Sequence, residues 1–268
     1  MRSILLHVYE DRGLDTRIQA ACDLARAFNG HLTCLHATPF EDYLATDPLI
    51  APALPVEFSR KMRERREAVQ ARVEEELERE GVSWDWVHLD ELISDALIRF
   101  SPLVDITVIS RAVSDLYRDD ERQIAGKLIT SAASPVLAVP SELKRFDTSA
   151  PAVVAWNGSP EAANALRAGL PLLKLAASVH IVRIEERLRA YPPDASARYL
   201  SRHDVSAEIV QRSPKGSIAD TLVEAGREFG AGLIVMGGYG HSRLREFLLG
   251  GVTRELLERS PLPLLLAH

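Results

Sequence analysis

The sequence predicts an α/β fold built from two parallel-sheet halves, and three features predict it. Short apolar runs alternate with segments of helical spacing along the whole chain. The order of these segments repeats after the middle of the chain. Two local matches fix the repeat: "DITVIS" at Asp105–Ser110 lies over "GLIVMG" at Gly232–Gly237, and "SPVLAVP" from Ser134 lies over "SPLPLLLAH" from Ser260. Strands alternating with helices imply parallel sheets covered on both faces. Such sheets take ligands at the carboxyl ends of their strands, where helix N-termini point into a crevice.

In the first half, "SILLHVY" reads as a strand and "DTRIQAACDLARAFNG" as a helix, with Ile18, Ala21, Leu24 and Phe28 on one face. Asp15 is the expected N-cap and Gly30 the expected stop. "HLTCLHA" is the next strand, followed by a charged helix from about Glu57 to Gly81 whose apolar stripe is Phe58, Met62, Val69, Val73 and Leu77. "WDWVHLD" alternates as a strand, "ELISDALIRF" is a helix, "DITVIS" is a buried strand, and "SPVLAVP" closes the half.

The second half runs through the same series: strand "PAVVAW", helix "SPEAANALRAGLPLLKL", strand "SVHIVRI", a shorter Pro-interrupted segment, strand "VSAEIVQR", helix "GSIADTLVEAGREFG", strand "LIVMGG" and the closing "SPLPLLLAH". Ser159 followed by Pro160 reads as an N-cap and first-turn proline. The halves are expected at 1–142 and 150–268, joined near "SELKRFDTSAP".

Bulk composition narrows the function classes. Of 268 residues, 46% are hydrophobic and 26% charged, with net charge −6 and no basic stripe interleaved with aromatics. Nucleic acid is therefore not the expected partner, since phosphate neutralisation needs clustered Lys and Arg. No apolar run approaches the roughly 20 residues that span a bilayer, so no membrane partner is expected. The apolar run in "MRSILLHVYED" is too short for a signal segment, and the expected location is the cytoplasm. Cys22 and Cys34, the two cysteines, belong to no CxxC pair and read as small buried apolar residues. The eight histidines form no metal-ligand spacing. His7, His36 and His180 read as core or strand-end residues. The long charged helix reads as a solvated helix with one packed face.

The stretch "GGYGHSRLREFLLGGVT", from Gly237 to Thr253, carries the functional question. It starts at the end of a strand and finishes at the start of a helix, "GGVTRELLERS", with Val252, Leu256 and Leu257 toward the core. Helix N-termini present unpaired N–H groups and the positive end of the helix dipole. Glycine lets a phosphate approach them. Thr253 adds a hydroxyl, Arg243 or Arg245 charge, and His241 lies within the stretch. The alternative is that the glycines only shape a turn and ease a helix entry. Neither GxGxxG after the first strand nor GxxxxGK[ST] is present.

The spacing Gly237-x2-Gly240-x9-Gly250, after "LIVMG" and before "VT-x-x-L", resembles the signature of the universal stress protein family. "VVAWNGSPEAANAL" resembles that family's opening strand–turn–helix, usually written with Asp-Gly-Ser. The likeness covers both halves, so the chain resembles a tandem member. It implies two five-stranded sheets of the Rossmann-like, adenine-nucleotide-binding type, related by a pseudo-twofold and associated through their last strands, with a homodimer as a further form. It also implies an adenine nucleotide, ATP or a relative with accompanying Mg2+, held by Gly237, Gly240, Gly250, Gly251, Val252 and Thr253, with Asn157 at the adenine end. A stress-linked sensing role comes from the resemblance alone. Any hydrolysis is expected to be slow, because no general base or metal carboxylate stands near the motif.

Three departures qualify that expectation. Gly251 stands where nucleotide-binding members carry Ser or Thr, and Asn157 replaces the usual Asp. The first half has Ser110 and Arg111 where glycines would stand, with Asp119, Asp120 and Glu121 nearby. One site, in the second half, is therefore expected. The competing expectation is an interaction protein with a vestigial pocket.

Overall fold

Among the described residues, ten strands form one sheet in the order β3-β2-β1-β4-β5-β10-β9-β6-β7-β8. The computed structural model describes residues 1–38, 56–111, 120–184, 191–238 and 251–268. The strands are β1 (Ser3–Val8), β2 (His31–Ala37), β3 (Ser83–Leu89), β4 (Ile106–Ser110), β5 (Val136–Val139), β6 (Ala152–Ala155), β7 (Val179–Ile184), β8 (Ala207–Arg212), β9 (Leu233–Gly237) and β10 (Leu264–Ala267). Between them lie α1 (Leu14–Phe28), α2 (Val56–Glu80), α3 (Ile93–Phe100), α4 (Asp120–Ser131), α5 (Pro160–Leu173), α6 (Pro193–Ser201), α7 (Ile218–Glu228) and α8 (Gly251–Arg259). Read outward from the middle, each half repeats one strand order, and every pairing within a half is parallel. Two five-stranded Rossmann-like sheets, the two halves that the repeat predicts, are thus joined in mirrored order into one, through the last strands as the resemblance implies.

The join is the antiparallel pair β5–β10, with Leu264 opposite Ala138, Leu265 opposite Leu137 and Leu266 opposite Val136. Side chains alternate across the pleat, so each of these strands feeds both faces. On one face Leu137, Val139 and Leu265 join a core with α1, α2, α5 and α6. On the other, Val136, Ala138, Leu264 and Leu266 join one with α3, α4, α7 and α8. Both cores run without interruption through the seam.

Helix ends follow local chemistry, with one correction. Ser159 Oγ accepts from Ala162 N at 3.2 Å, capping α5 with Pro160 in its first turn. Ser217 and Asp220 form a reciprocal capping box on α7. Asp15, expected as the N-cap of α1, sits inside the first turn; Gly13 is the cap residue. The reason is packing: a Cβ at Gly13 would stand 2.1 Å from Ser110 Oγ. At the other end Asn29, with φ 49°, takes the left-handed position expected of Gly30.

Val69, Val73 and Leu77 of α2 are buried as their stripe predicts; the side chains of Phe58 and Met62 lie outside the described residues. Cys22 and Cys34 are free and fully buried, and burial pushes the Cys22 thiol up to about 12. Among the described residues no helix is long and apolar enough to cross a membrane.

His36 is buried beside His88, their Nδ1 atoms 3.0 Å apart, with His88 Nε2 3.1 Å from Asp90. Burial, then His88 and Arg66, lower the His36 pKa to about 4. His7 is also lowered, by burial first and then by Arg17 and His36. The unfolded chain therefore takes up protons that the folded chain refuses, and stability falls as pH drops from about 6.5 towards 4. His36→Gln should shrink the loss of urea midpoint between neutral and mildly acidic pH, with His7 sustaining the remainder.

Leu265 has no exposed surface at the seam. Leu265→Ala should cost about 2–5 kcal/mol. Because the cores are continuous, denaturant titration followed by circular dichroism should show one transition moved to lower midpoint. Separate unfolding of the second half would contradict a shared core.

Candidate functional site

The chain leaves β6 toward β7 on one side, while β9 lies on the other side of β6. A parallel sheet opens a crevice where connections depart in opposite directions, here beyond the carboxyl ends of β6 and β9. The helices that follow these strands, α5 and α8, lie on opposite faces of the sheet, so their N-termini flank this edge from both sides.

The turn after β6 is tightly built. Asn157 Oδ1 accepts from Ser159 N at 3.0 Å. Gly158 has φ +72°, and a Cβ there would stand 2.4 Å from the Tyr191 carbonyl oxygen. Tyr191 N donates to Gly158 O at 3.1 Å, and Trp156 Nε1 donates to Tyr191 O at 3.1 Å. Tyr191 thus docks on the turn, while the Asn157 side chain remains exposed.

The motif glycines serve different ends. A Cβ at Gly237 would lie 2.6 Å from Ala162 N and from Glu161 C, so glycine is required for β9 to meet the start of α5. Gly238 is similarly confined, with Ile129 Cγ2 at 2.1 Å from where a Cβ would stand. Its N–H donates to Ala267 O at 2.8 Å, and its carbonyl lies 3.0 Å from His268 Nδ1. Gly251 is the contrast: it opens α8, is exposed, and a Cβ there would meet nothing within 4 Å among the described residues. Packing among the described residues therefore does not demand glycine at 251, and a bare backbone at a helix start is suited to an anion. Val252 is half-buried on α8 and Thr253 is buried. Gly240 and Gly250, with His241, Arg243 and Arg245, lie outside the described residues. The structure thus places Asn157 and Gly237 at the ends of neighbouring strands, with Gly251, Val252 and Thr253 in the first turn of α8.

At the equivalent edge of the first half a buried side chain links the strand ends. Arg17, on α1, has no exposed surface. Its Nη1 donates to Asp11 Oδ1 and Oδ2 at 3.0 and 2.8 Å and to the Ser110 hydroxyl. Its Nη2 donates to Tyr9 O at 2.8 Å and its Nε to His7 O at 3.0 Å. One guanidinium therefore binds the carboxyl end of β1 to that of β4. Arg111 N donates to Val139 O at 2.7 Å, as Gly238 N does to Ala267 O, so Ser110 and Arg111 are the counterparts of Gly237 and Gly238. Arg111 Nη1 donates to the Glu258 carbonyl in the last turn of α8, where a helix end attracts cations. Sequence reasoning missed Arg17; an arginine directly beside Ile18 of the apolar face of α1 was the available signal. Among the described residues no group of three or more His, Cys, Asp or Glu is placed to hold a metal.

Residues 150–268 match the sequence profile of the Universal stress protein family. The match makes the second half, residues 150–268, a universal stress protein domain. A universal stress protein from Archaeoglobus fulgidus DSM 4304 is similar over 98% of this chain and 97% of its own, at 16% identity and TM-score 0.74. A functionally unknown protein from Pseudomonas aeruginosa PAO1 is similar over 100% of this chain and 92% of its own, at 17% identity and TM-score 0.61. At these identities the likeness shows the fold, and it extends through the first half. Among proteins with curated descriptions, none matches the chain.

The Arg17 network should dominate the stability of the first half. Arg17→Met leaves the Asp11 carboxylate without its cation, and loss of one partner of a buried pair costs about 3–5 kcal/mol. The denaturant midpoint should fall accordingly, and adding Asp11→Asn should recover part of the loss. Arg17→Lys should rescue poorly, because one ammonium cannot reproduce the planar fork.

Proposed function

We propose that residues 150–268 form a domain that binds one adenine nucleotide per chain, ATP or a relative, and that residues 1–142 form a companion domain without a nucleotide. The observation that carries this reading is the contrast between the two equivalent strand ends. In the first half a side chain, Arg17, ties the ends of β1 and β4 together. In the second half glycine follows β9, the Asn157 side chain is exposed, and Gly251 opens α8. In this reading the α8 N-terminus receives phosphate, with backbone N–H groups as donors and the helix dipole as the attracting charge. Mg2+ arrives with the nucleotide. The family match of residues 150–268 supports a regulatory role in the stress response, performed in the cytoplasm by reporting nucleotide occupancy.

A second reading has its own support. Ser159, the hydroxyl nearest the turn, is committed to capping α5, and Gly251 supplies no hydroxyl. A vestigial pocket on a protein that acts through its surfaces, as a homodimer or with another protein, would look the same.

Calorimetric titration with ATP and Mg2+, after a check for co-purified nucleotide, separates the two. The nucleotide reading expects one site per chain with micromolar affinity. Gly251→Val should lower that affinity at least about tenfold with an unchanged thermal midpoint, since a Cβ there meets no atom of the described residues within 4 Å. Absence of heat, bound nucleotide and thermal shift would favour the vestigial pocket.

A further inference from the structure

We propose that Asn157 makes the second-half site a general purine site, one that admits nucleotides carrying a carbonyl at C6 of the base as well as adenine nucleotides. This rests on the nucleotide reading above and concerns which base edge the mouth of the crevice accepts.

The argument is an inventory of hydrogen-bonding groups at the turn after β6. Trp156 Nε1 is spent on Tyr191 O at 3.1 Å, and the Gly158 carbonyl on Tyr191 N at 3.1 Å. Ser159 Oγ is spent on Ala162 N at 3.2 Å. Asn157 Oδ1 is spent on Ser159 N at 3.0 Å. That last bond also fixes the amide's orientation, because a backbone N–H can meet only the oxygen. The amide nitrogen, Nδ2, is left with two N–H donors and no partner among the described residues, on an exposed side chain.

Position gives this donor its meaning. Asn157 lies two residues beyond the end of β6, at the strand where the sheet's connections diverge and where ligands of such sheets enter. An asparagine with both amide atoms available pairs with adenine through N6 and N7 together. Here the oxygen is already engaged, so that two-point pairing is lost and the donor edge dominates. A donor edge meets any acceptor on a purine: a ring nitrogen of adenine, or the carbonyl and N7 of a 6-oxopurine. An aspartate at the same place would keep the turn, since its carboxylate also accepts from Ser159 N–H. It would face the ligand with a charged acceptor, which welcomes a 6-amino group and repels a 6-carbonyl.

The test compares wild-type protein with Asn157→Asp, each titrated with ATP and with inosine triphosphate in Mg2+. Thermal midpoints serve as the folding control. The wild type should bind both nucleotides with affinities within about tenfold of each other. Asn157→Asp should weaken inosine triphosphate relative to ATP by at least about tenfold with no loss of stability. If the wild type binds ATP and rejects inosine triphosphate, or if the substitution leaves the ratio unchanged, the base-edge inference falls while the nucleotide reading stands. If neither nucleotide binds the wild type, both fall.

Discussion

The rest of the structure hangs on the pairing of β5 with β10. Those strands are four residues each, yet every residue in them except Ala267 is buried. Two short strands at the edges of separate five-stranded sheets would each present unpaired N–H and C=O groups to solvent or to another chain. Joined antiparallel, they satisfy one another, and their leucines carry the cores on both faces from one half into the other. Antiparallel pairing is also what places the two halves in mirrored strand order.

That arrangement lets the two halves diverge at one place while keeping the same scaffold. Where strand meets helix, space must be left by one partner. In the first half the helix side gives way: Gly13 makes room for Ser110. In the second half the strand side gives way: Gly237 makes room for the start of α5. The exchange decides what fills the crevice. A serine on β4 offers an oxygen to the Arg17 guanidinium, which then joins Asp11 and two backbone carbonyls into one network. A glycine on β9 offers no such partner. Arg111, meanwhile, takes its cation to the end of α8 in the other half, so the seam is held by charge as well as by leucine packing.

The alternation of strands and helices, the repeat and the capping of α5 by Ser159 were legible in the sequence, because each depends on local periodicity or on one residue's preference; the strand–strand seam was implied only by the family resemblance. The N-terminus of α1 was not. Asp15 has the right chemistry for a cap, but the contact between Gly13 and Ser110 brings together residues far apart in the chain and shifts the cap residue. The candidate site was legible in part: Asn157, Gly237, Gly251, Val252 and Thr253 fall at strand ends or a helix start, while Gly240 and Gly250 lie outside the described residues. The glycines looked alike in sequence. Among the described residues Gly237 and Gly238 are confined by packing and Gly251 is not, a distinction set by neighbours that spacing cannot reveal.

By itself, then, the sequence determined the fold class, the two-fold repetition and which half retained the glycine motif, since hydrophobic period and glycine placement act over a few residues. Only the tertiary structure decided that Arg17 ties the ends of β1 and β4 together and that the Asn157 amide oxygen is engaged while its side chain is exposed. Both depend on hydrogen bonds whose geometry exists only after the chain has folded: a guanidinium buried between two strand ends, and an amide whose oxygen is already held by its own turn.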